Sequence, residues 1–162
     1  MVETKVRKTP GRSYSDLWSR PGFLVRRLHQ IHVGLFLEEC RGFEMTPVQF
    51  ALLTVLASGQ AMDQVTLSNA VGIDRTSGAD VIRRLTRRGL LARKESPGDR
   101  RAKLVEITDA GRAFVEQMQP QMERAQERFL EPLSEDERAA FLAMMKRMIS
   151  ANNDASRAPL GL

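Results

Sequence analysis

The stretch Leu67-Ser68-Asn69-Ala70-Val71-Gly72-Ile73-Asp74-Arg75-Thr76-Ser77-Gly78-Ala79-Asp80-Val81-Ile82-Arg83-Arg84-Leu85-Thr86-Arg87-Arg88-Gly89 decides the fold. A short helix over about 66–71 is predicted to stop at Gly72, because glycine takes the left-handed position at a helix end without a Cβ penalty. After the Gly72-Ile73-Asp74 turn a second helix runs over 76–88, with Val81, Ile82 and Leu85 pointing inward and Gly89 ending it. Helix, tight glycine turn, helix is the outline of a helix-turn-helix. The charges agree. From Asp74 to Lys103 there are ten cations and four acids, so that window carries +6 in a chain whose net charge is +5. The remainder is −1, and such segregation points to a polyanionic partner, the alternative being a basic solvated helix.

Downstream, Leu90–Glu95 and Lys103–Ile107 are strand-like, and Ser96-Pro97-Gly98-Asp99 between them has turn chemistry. They predict a two-stranded wing with a basic tip. Upstream, Pro21 suits a first helical turn, and Phe23, Leu24, Leu28, Ile31 and Leu35 recur at helical spacing up to about Gly42. Thr46-Pro47 caps a short helix that ends near Ser58-Gly59. Phe114, Met118, Met122, Ala125 and Phe129 give another helix, with Pro120 as an expected kink. Ser134 with Glu137 forms a capping box for the last helix, whose apolar face is Phe141, Leu142, Met145, Met148 and Ile149. The expected class is mainly α (α+β): a winged helix-turn-helix with long N- and C-terminal dimerisation helices. Its expected division is a mobile arm at 1–19, dimerisation and effector helices at 20–60, the winged lobe at 61–108, dimerisation helices at 109–150 and a mobile tail at 151–162. The helices at 20–42, 109–131 and 135–150 carry more apolar surface than the winged lobe can cover, which predicts a homodimer whose seam is the helix carrying Phe141, Met145 and Ile149.

Composition narrows the function classes. The 162 residues are 42% apolar and 28% charged, ordinary for one globular domain. No apolar run approaches the roughly 20 residues that a bilayer span requires. The basic start lacks a following apolar region of the secretory kind, so the cytoplasm is the expected compartment. One cysteine and two histidines give no disulfide and no zinc spacing. No Ser-His-Asp order and no phosphate-cradling glycine loop appears, so neither an enzyme nor a cofactor is expected.

DNA reading needs an exposed helix whose outward side chains reach phosphates and base edges. On helix 76–88 these are Thr76, Ser77, Asp80, Arg83, Arg84 and Arg87. Arg75, Thr76, Ser77, Ala79 and Asp80 at its start are placed for bases and the later arginines for phosphates. Asp80 either accepts from a cytosine amino group or pairs with Arg83 or Arg84 one turn on. Gly78 costs about 1 kcal/mol against alanine in mid-helix, which a close approach would explain. At the wing, Arg100 and Arg101 suit a narrow minor groove, with Asp99 orienting Arg101 and Lys103 beside them.

Three segments carry a family resemblance: Leu67 to Ser77; Leu85-Thr86-Arg87-Arg88-Gly89-Leu90; and Asp99-Arg100-Arg101-Ala102-Lys103-Leu104-Val105-Glu106-Ile107-Thr108-Asp109-Ala110-Gly111. The last, an Asp-x-Arg wing leading through a strand into Thr-x-x-Gly, is the most specific. Together they resemble the multiple antibiotic resistance regulator (MarR) family, over about residues 20–150. The resemblance implies an obligate, roughly triangular homodimer whose first and last two helices interlock, leaving two winged lobes for a palindromic operator. It also implies that Arg101 enters the minor groove, steadied by Asp99. Gly78 and Asp80 depart from the family pattern, which leaves the base preference open.

In similar proteins small anionic aromatics bind beside the first helix and loosen the grip on DNA. The matching lining here is Trp18, Arg26, His29, His32, Phe36 and Phe50. His29, His32 and Phe36 share a helical stripe, so both imidazoles can face one cavity and meet a carboxylate, or else serve as hydrogen-bonded interface residues. The arm with Tyr14 and Trp18 resembles the subset that controls catabolism of aromatic acids or their thioesters. The expected function is therefore a DNA-binding repressor released by an aromatic anion. The alternatives are a winged-helix architectural or protein-interaction module, or a thiol-oxidation sensor through Cys40. Against the sensor, Cys40 follows Glu38 and Glu39 near a helix C-terminus, where the dipole raises a thiol pKa.

Overall fold

The computed structural model describes residues 15–95 and 103–161. In chain order these form α1 (Ser15–Trp18), α2 (Pro21–Glu39), α3 (Pro47–Ser58), β1 (Met62–Asp63), α4 (Gln64–Ala70), α5 (Arg75–Arg87), β2 (Leu91–Glu95), β3 (Lys103–Ile107), α6 (Asp109–Leu130), α7 (Glu135–Asn152) and a 3-10 turn (Asn153–Ala155). The expected class holds, and the sheet has one strand more than the expected pair. β1 pairs antiparallel with β3 through Met62↔Val105, giving the order β1-β3-β2.

Local sequence sets the helix starts. Thr46 and Gln49 form a reciprocal capping box at α3, as Ser134 and Glu137 do at α7. Asp63 caps α4 and Asp74 caps α5, each accepting from two backbone N–H groups of the first turn. The Thr-x-x-Gly segment has a joint purpose. Thr108 Oγ1 accepts from the Gly111 N–H at 3.0 Å and donates to the Gly89 carbonyl at 2.7 Å. A side chain at Gly111 would run into the Leu90 carbonyl, so the start of α6 sits directly on the α5–β2 turn. α6 continues through Pro120 as one helix, so the expected kink does not interrupt it.

The core is built from α3, the inner faces of α4 and α5, and the middle of α6. Leu52, Leu53, Leu67, Ile82, Leu85 and Met118 are completely buried there. Two charged clasps fix the periphery. Arg88 donates to the Phe43 and Glu44 carbonyls and lies 5.4 Å from the Phe114 ring centroid, tying the end of α5 to the α2–α3 turn. Glu39 receives Arg128 at 2.6 Å and Arg124 at 3.1 Å, joining α2 to α6. Those arginine hydrogen bonds hold its carboxyl below the usual range.

Both ends carry local structure within the expected arm and tail. Residues 1–14 lie outside the described residues, but 15–18 are helical and the Trp18 ring meets Phe23 edge-on at 5.4 Å. The tail folds back to place Leu160 beside Gly72, held by the Asn153 side chain and by the Gly161 N–H on the Asn69 carbonyl. α7 behaves differently: none of its residues is buried within the single chain.

Candidate nucleic-acid interface

α5 is positioned by what it buries. Ile82 and Leu85 are fully buried, and Gly78 is buried against Ser68 of α4. A methyl group at Gly78 would overlap Ser68 Oγ and lie 3.0 Å from Ser68 Cβ, so the glycine permits the close crossing of α4 and α5. With that face inward, Arg75, Thr76, Ser77, Arg83, Arg84 and Arg87 are all exposed.

Two local networks shape this face. Asp74 accepts from the Thr76 and Ser77 N–H groups at 3.0 Å each, and the Ser77 hydroxyl donates to its second oxygen at 2.6 Å. These bonds, the Ser77 hydroxyl's first, hold the Asp74 carboxyl below its usual range, so the cap is ionised at neutral pH. Asp80 takes both Arg83 and Arg84, the latter at 2.6 Å. The pairing alternative for Asp80 is thus the one present. Its carboxylate aligns two guanidinium groups along the outward edge, where their remaining donors suit phosphate oxygens.

β2 and β3 run in register as far as Glu95↔Lys103, with Lys94 and Glu106 3.6 Å apart. Lys103 is exposed at the outer end of β3. Asp99, Arg100 and Arg101 lie outside the described residues. Glu95 and Lys103 are thus the last paired residues on either side of the segment that holds the expected basic tip.

The MarR family model matches residues 45–103, which span α3 to the first residue of β3. PcaV, a transcriptional regulator from Streptomyces coelicolor, solved with its natural ligand, is 38% identical and superposes with a TM-score of 0.78 over 84% of this chain and 96% of its own. The chain belongs to the MarR family. MarR proteins are transcription regulators rather than enzymes, and the same fold recurs in BpsR of Bordetella bronchiseptica. That structure, which concerns the regulation of BpsR's DNA binding by 6-hydroxynicotinic acid, is 35% identical over 80% of this chain and 93% of its own, with a TM-score of 0.77. The repressor NicR of Pseudomonas putida is 29% identical over 86% of this chain and 89% of its own length.

The second expected site is partly rearranged in this MarR protein. His29 and His32 line a cavity of about 460 Å³ together with Leu28, Phe129, Phe141 and Met145. His32 meets Phe129 edge-on at 5.7 Å, and burial pushes its pKa down, assisted by His29. Phe36 and Phe50 are not among its lining: both are core residues, 0% and 4% exposed, facing each other at 6.5 Å. The physical reason is that α2 changes neighbours along its length, so one stripe meets α3 at Phe36 and the α6–α7 side at His29. Arg26 and Trp18 form a separate exposed cluster on Phe23, the guanidinium 5.2 Å from the ring centroid. Phe129, Phe141 and Met145 were missed as lining because only tertiary packing brings α6 and α7 to α2. Cys40 is 4% exposed and burial, with Glu39 second, raises its pKa, which disfavours the thiolate a redox sensor uses. Among the described residues there is no cluster suited to a metal ion and no helix long and apolar enough to cross a membrane.

Proposed function

We propose that the protein is a cytoplasmic homodimeric repressor that holds a palindromic operator through α5 and the wing, and is released by a small aromatic carboxylate. The observation that carries this reading is the α5 face: Thr76 and Ser77 at its N-terminal end and the exposed arginines beyond them, on a helix rigidly seated against α4. In this division the unit at 61–108 reads DNA, while the helices at 20–60 and 109–150 join two copies and hold the ligand. The match to BpsR, whose DNA binding is regulated by 6-hydroxynicotinic acid, supports both halves.

Duplexes selected from a randomised pool by the wild-type protein provide the operator for the test. Arg101→Ala is expected to weaken binding to that duplex about tenfold at fixed salt, in the range of roughly 1–3 kcal/mol for a groove-reading arginine. It should also lower the slope of log K against log salt, because a guanidinium near phosphates releases counterions. Equal affinity across a salt series, with the fold intact, would reduce the wing to a turn. An architectural module would instead show no preference between the selected and scrambled duplexes.

The cavity beside His29 and His32 is the proposed ligand site, with Phe129 and Phe141 as stacking surface and the imidazoles as donors. Arg26, one turn before His29, supplies a further cation if its contact with Phe23 is exchanged for the ligand. His32→Ala is expected to leave the affinity of the ligand-free protein for DNA unchanged while cutting release by 6-hydroxynicotinate or benzoate at least tenfold. Burial keeps His32 neutral at pH 7, and a bound carboxylate would raise its pKa, so ligand affinity should rise as pH falls from about 8 to 6. Titration of DNA release with both acids at several pH values checks this. An unaltered response in the variant would make the histidine an interface residue.

A further inference from the structure

The C-terminal tail touches the helix-turn-helix at its most sensitive point. Asn153, one residue past α7, closes the tail into a loop: its side-chain oxygen accepts from the Leu160 N–H at 2.8 Å and its side-chain nitrogen donates to the Leu160 carbonyl at 3.0 Å. The loop so formed presents Leu160 to Gly72, the glycine that turns α4 into α5 with φ +69°. Leu160 Cδ2 would lie only 3.1 Å from a Cβ at Gly72. The next residue, Gly161, donates its N–H to the Asn69 carbonyl at 3.2 Å, the same carbonyl that receives the Gly72 N–H. A carbonyl at the end of α4 is thereby shared between the turn and the tail. Between the tail and α7 lies a cleft of about 770 Å³ walled by Val71, Met148 and Ile149, so hydrogen bonds and one leucine, not continuous packing, hold the tail in place.

We infer that residues 153–161 act as a latch, in which Asn153 and Leu160 are positioning residues that couple the dimerisation helix α7 to the recognition helix α5 within one chain. This rests on the DNA-binding reading above. A helix-turn-helix places its recognition helix by the orientation of the lobe on the dimer, and the spacing of two lobes must match the half-sites. α7 has no buried residue of its own chain, so the tail is a direct brace from it to the α4–α5 turn. Releasing the brace lets the lobe sample orientations that do not fit both half-sites, and the affinity falls by the fraction of time so spent.

The test uses the full-length dimer and the duplex selected by the wild type. Leu160→Ala and Asn153→Ala are expected to bind it roughly 5- to 20-fold more weakly, the lower part of the usual range for coupled sites. Their slopes against log salt should match the wild type, since neither side chain meets phosphate. Dimer mass by light scattering should also be unchanged. Arg157→Ala, which removes the exposed cation of the tail, should bind like wild type. Affinities within twofold of wild type for both latch variants would overturn the inference. So would a lowered melting temperature with undiminished affinity of the folded dimer, which marks a merely structural tail. If instead Arg157→Ala weakens binding and flattens the salt slope, the tail contacts DNA directly and the latch is overturned. Failure of the wild type to select any duplex would overturn the DNA-binding reading itself, an outcome distinct from the others.

Discussion

Glutamates placed together at Leu142 and Ile149 are expected to leave the protein monomeric and to abolish operator binding at concentrations where the wild type is saturated. The two side chains lie seven residues apart on α7, two helical turns along one stripe, and are 41% and 51% exposed in the single chain. Met144 and Met148 flank them, and Leu24, Val25, Leu28 and Ile31 present a similar apolar surface on α2. A patch of this extent is more than a monomer ordinarily leaves to water. In a two-fold interface each substitution occurs twice, so the pair removes four apolar side chains at about 1.5 kcal/mol each. The total of about 6 kcal/mol corresponds to roughly four decades in the dimerisation constant. A monomer presents one lobe and loses the second half-site. Light scattering should then give 18.2 kDa, with helical circular dichroism showing the lobe still folded. A stable dimer that still binds the duplex would move the seam elsewhere. The expected seam, the helix carrying Phe141, Met145 and Ile149, keeps its place in this account; Phe141 and Met145 line the histidine cavity of their own chain, so the substitutions fall on the more exposed Leu142 and Ile149.

What the sequence made legible follows from how local each signal is. Gly72, Thr46-Pro47 and Ser134 with Glu137 act on the backbone within three residues, and each sits where it is expected to sit, whereas the capping by Asp74 shows only in the structure. The arginine face of α5 was legible for the same reason, since three buried positions dictate which side is left for solvent. β1 was not, because two residues carry no periodicity and Met62 and Asp63 are a strand only through their pairing with β3. The tail reads as free because its apolar residues, Leu160 among them, show no helical or strand period in a polar segment; its fixings, Asn153 and Asn69, reveal themselves only when the chain returns. Phe36 was assigned to the histidine cavity because a helical stripe specifies a face but not which neighbour covers each turn of it.

Gly78 joins these two kinds of reading and carries the second large expectation. A glycine in mid-helix costs about 1 kcal/mol against alanine, so on propensity alone Gly78→Ala should stabilise the protein. The structure reverses the sign. The added methyl overlaps Ser68 Oγ, and Ser68 is 1% exposed with its hydroxyl donating to the Gln64 carbonyl at 2.8 Å, so it has little room to turn aside. Overpacking of this sort costs about 1–3 kcal/mol, and the loss of the Ser68 hydrogen bond adds about 1 more. After the propensity gain the net destabilisation is about 2 kcal/mol, a fall in melting temperature of roughly 4–8 °C for a chain of this size. Because the strain is relieved by moving α5 away from α4, affinity for the selected duplex should fall as well, even in the folded fraction. Ser68→Gly introduced into Gly78→Ala removes both the hydroxyl and the Cβ that the new methyl meets. It is expected to restore operator affinity to near the wild-type value while recovering only part of the melting temperature, since it places a glycine inside α4. If Gly78→Ala melts at or above the wild type, or if Ser68→Gly does not rescue its DNA binding, the α4–α5 crossing is looser than these contacts require.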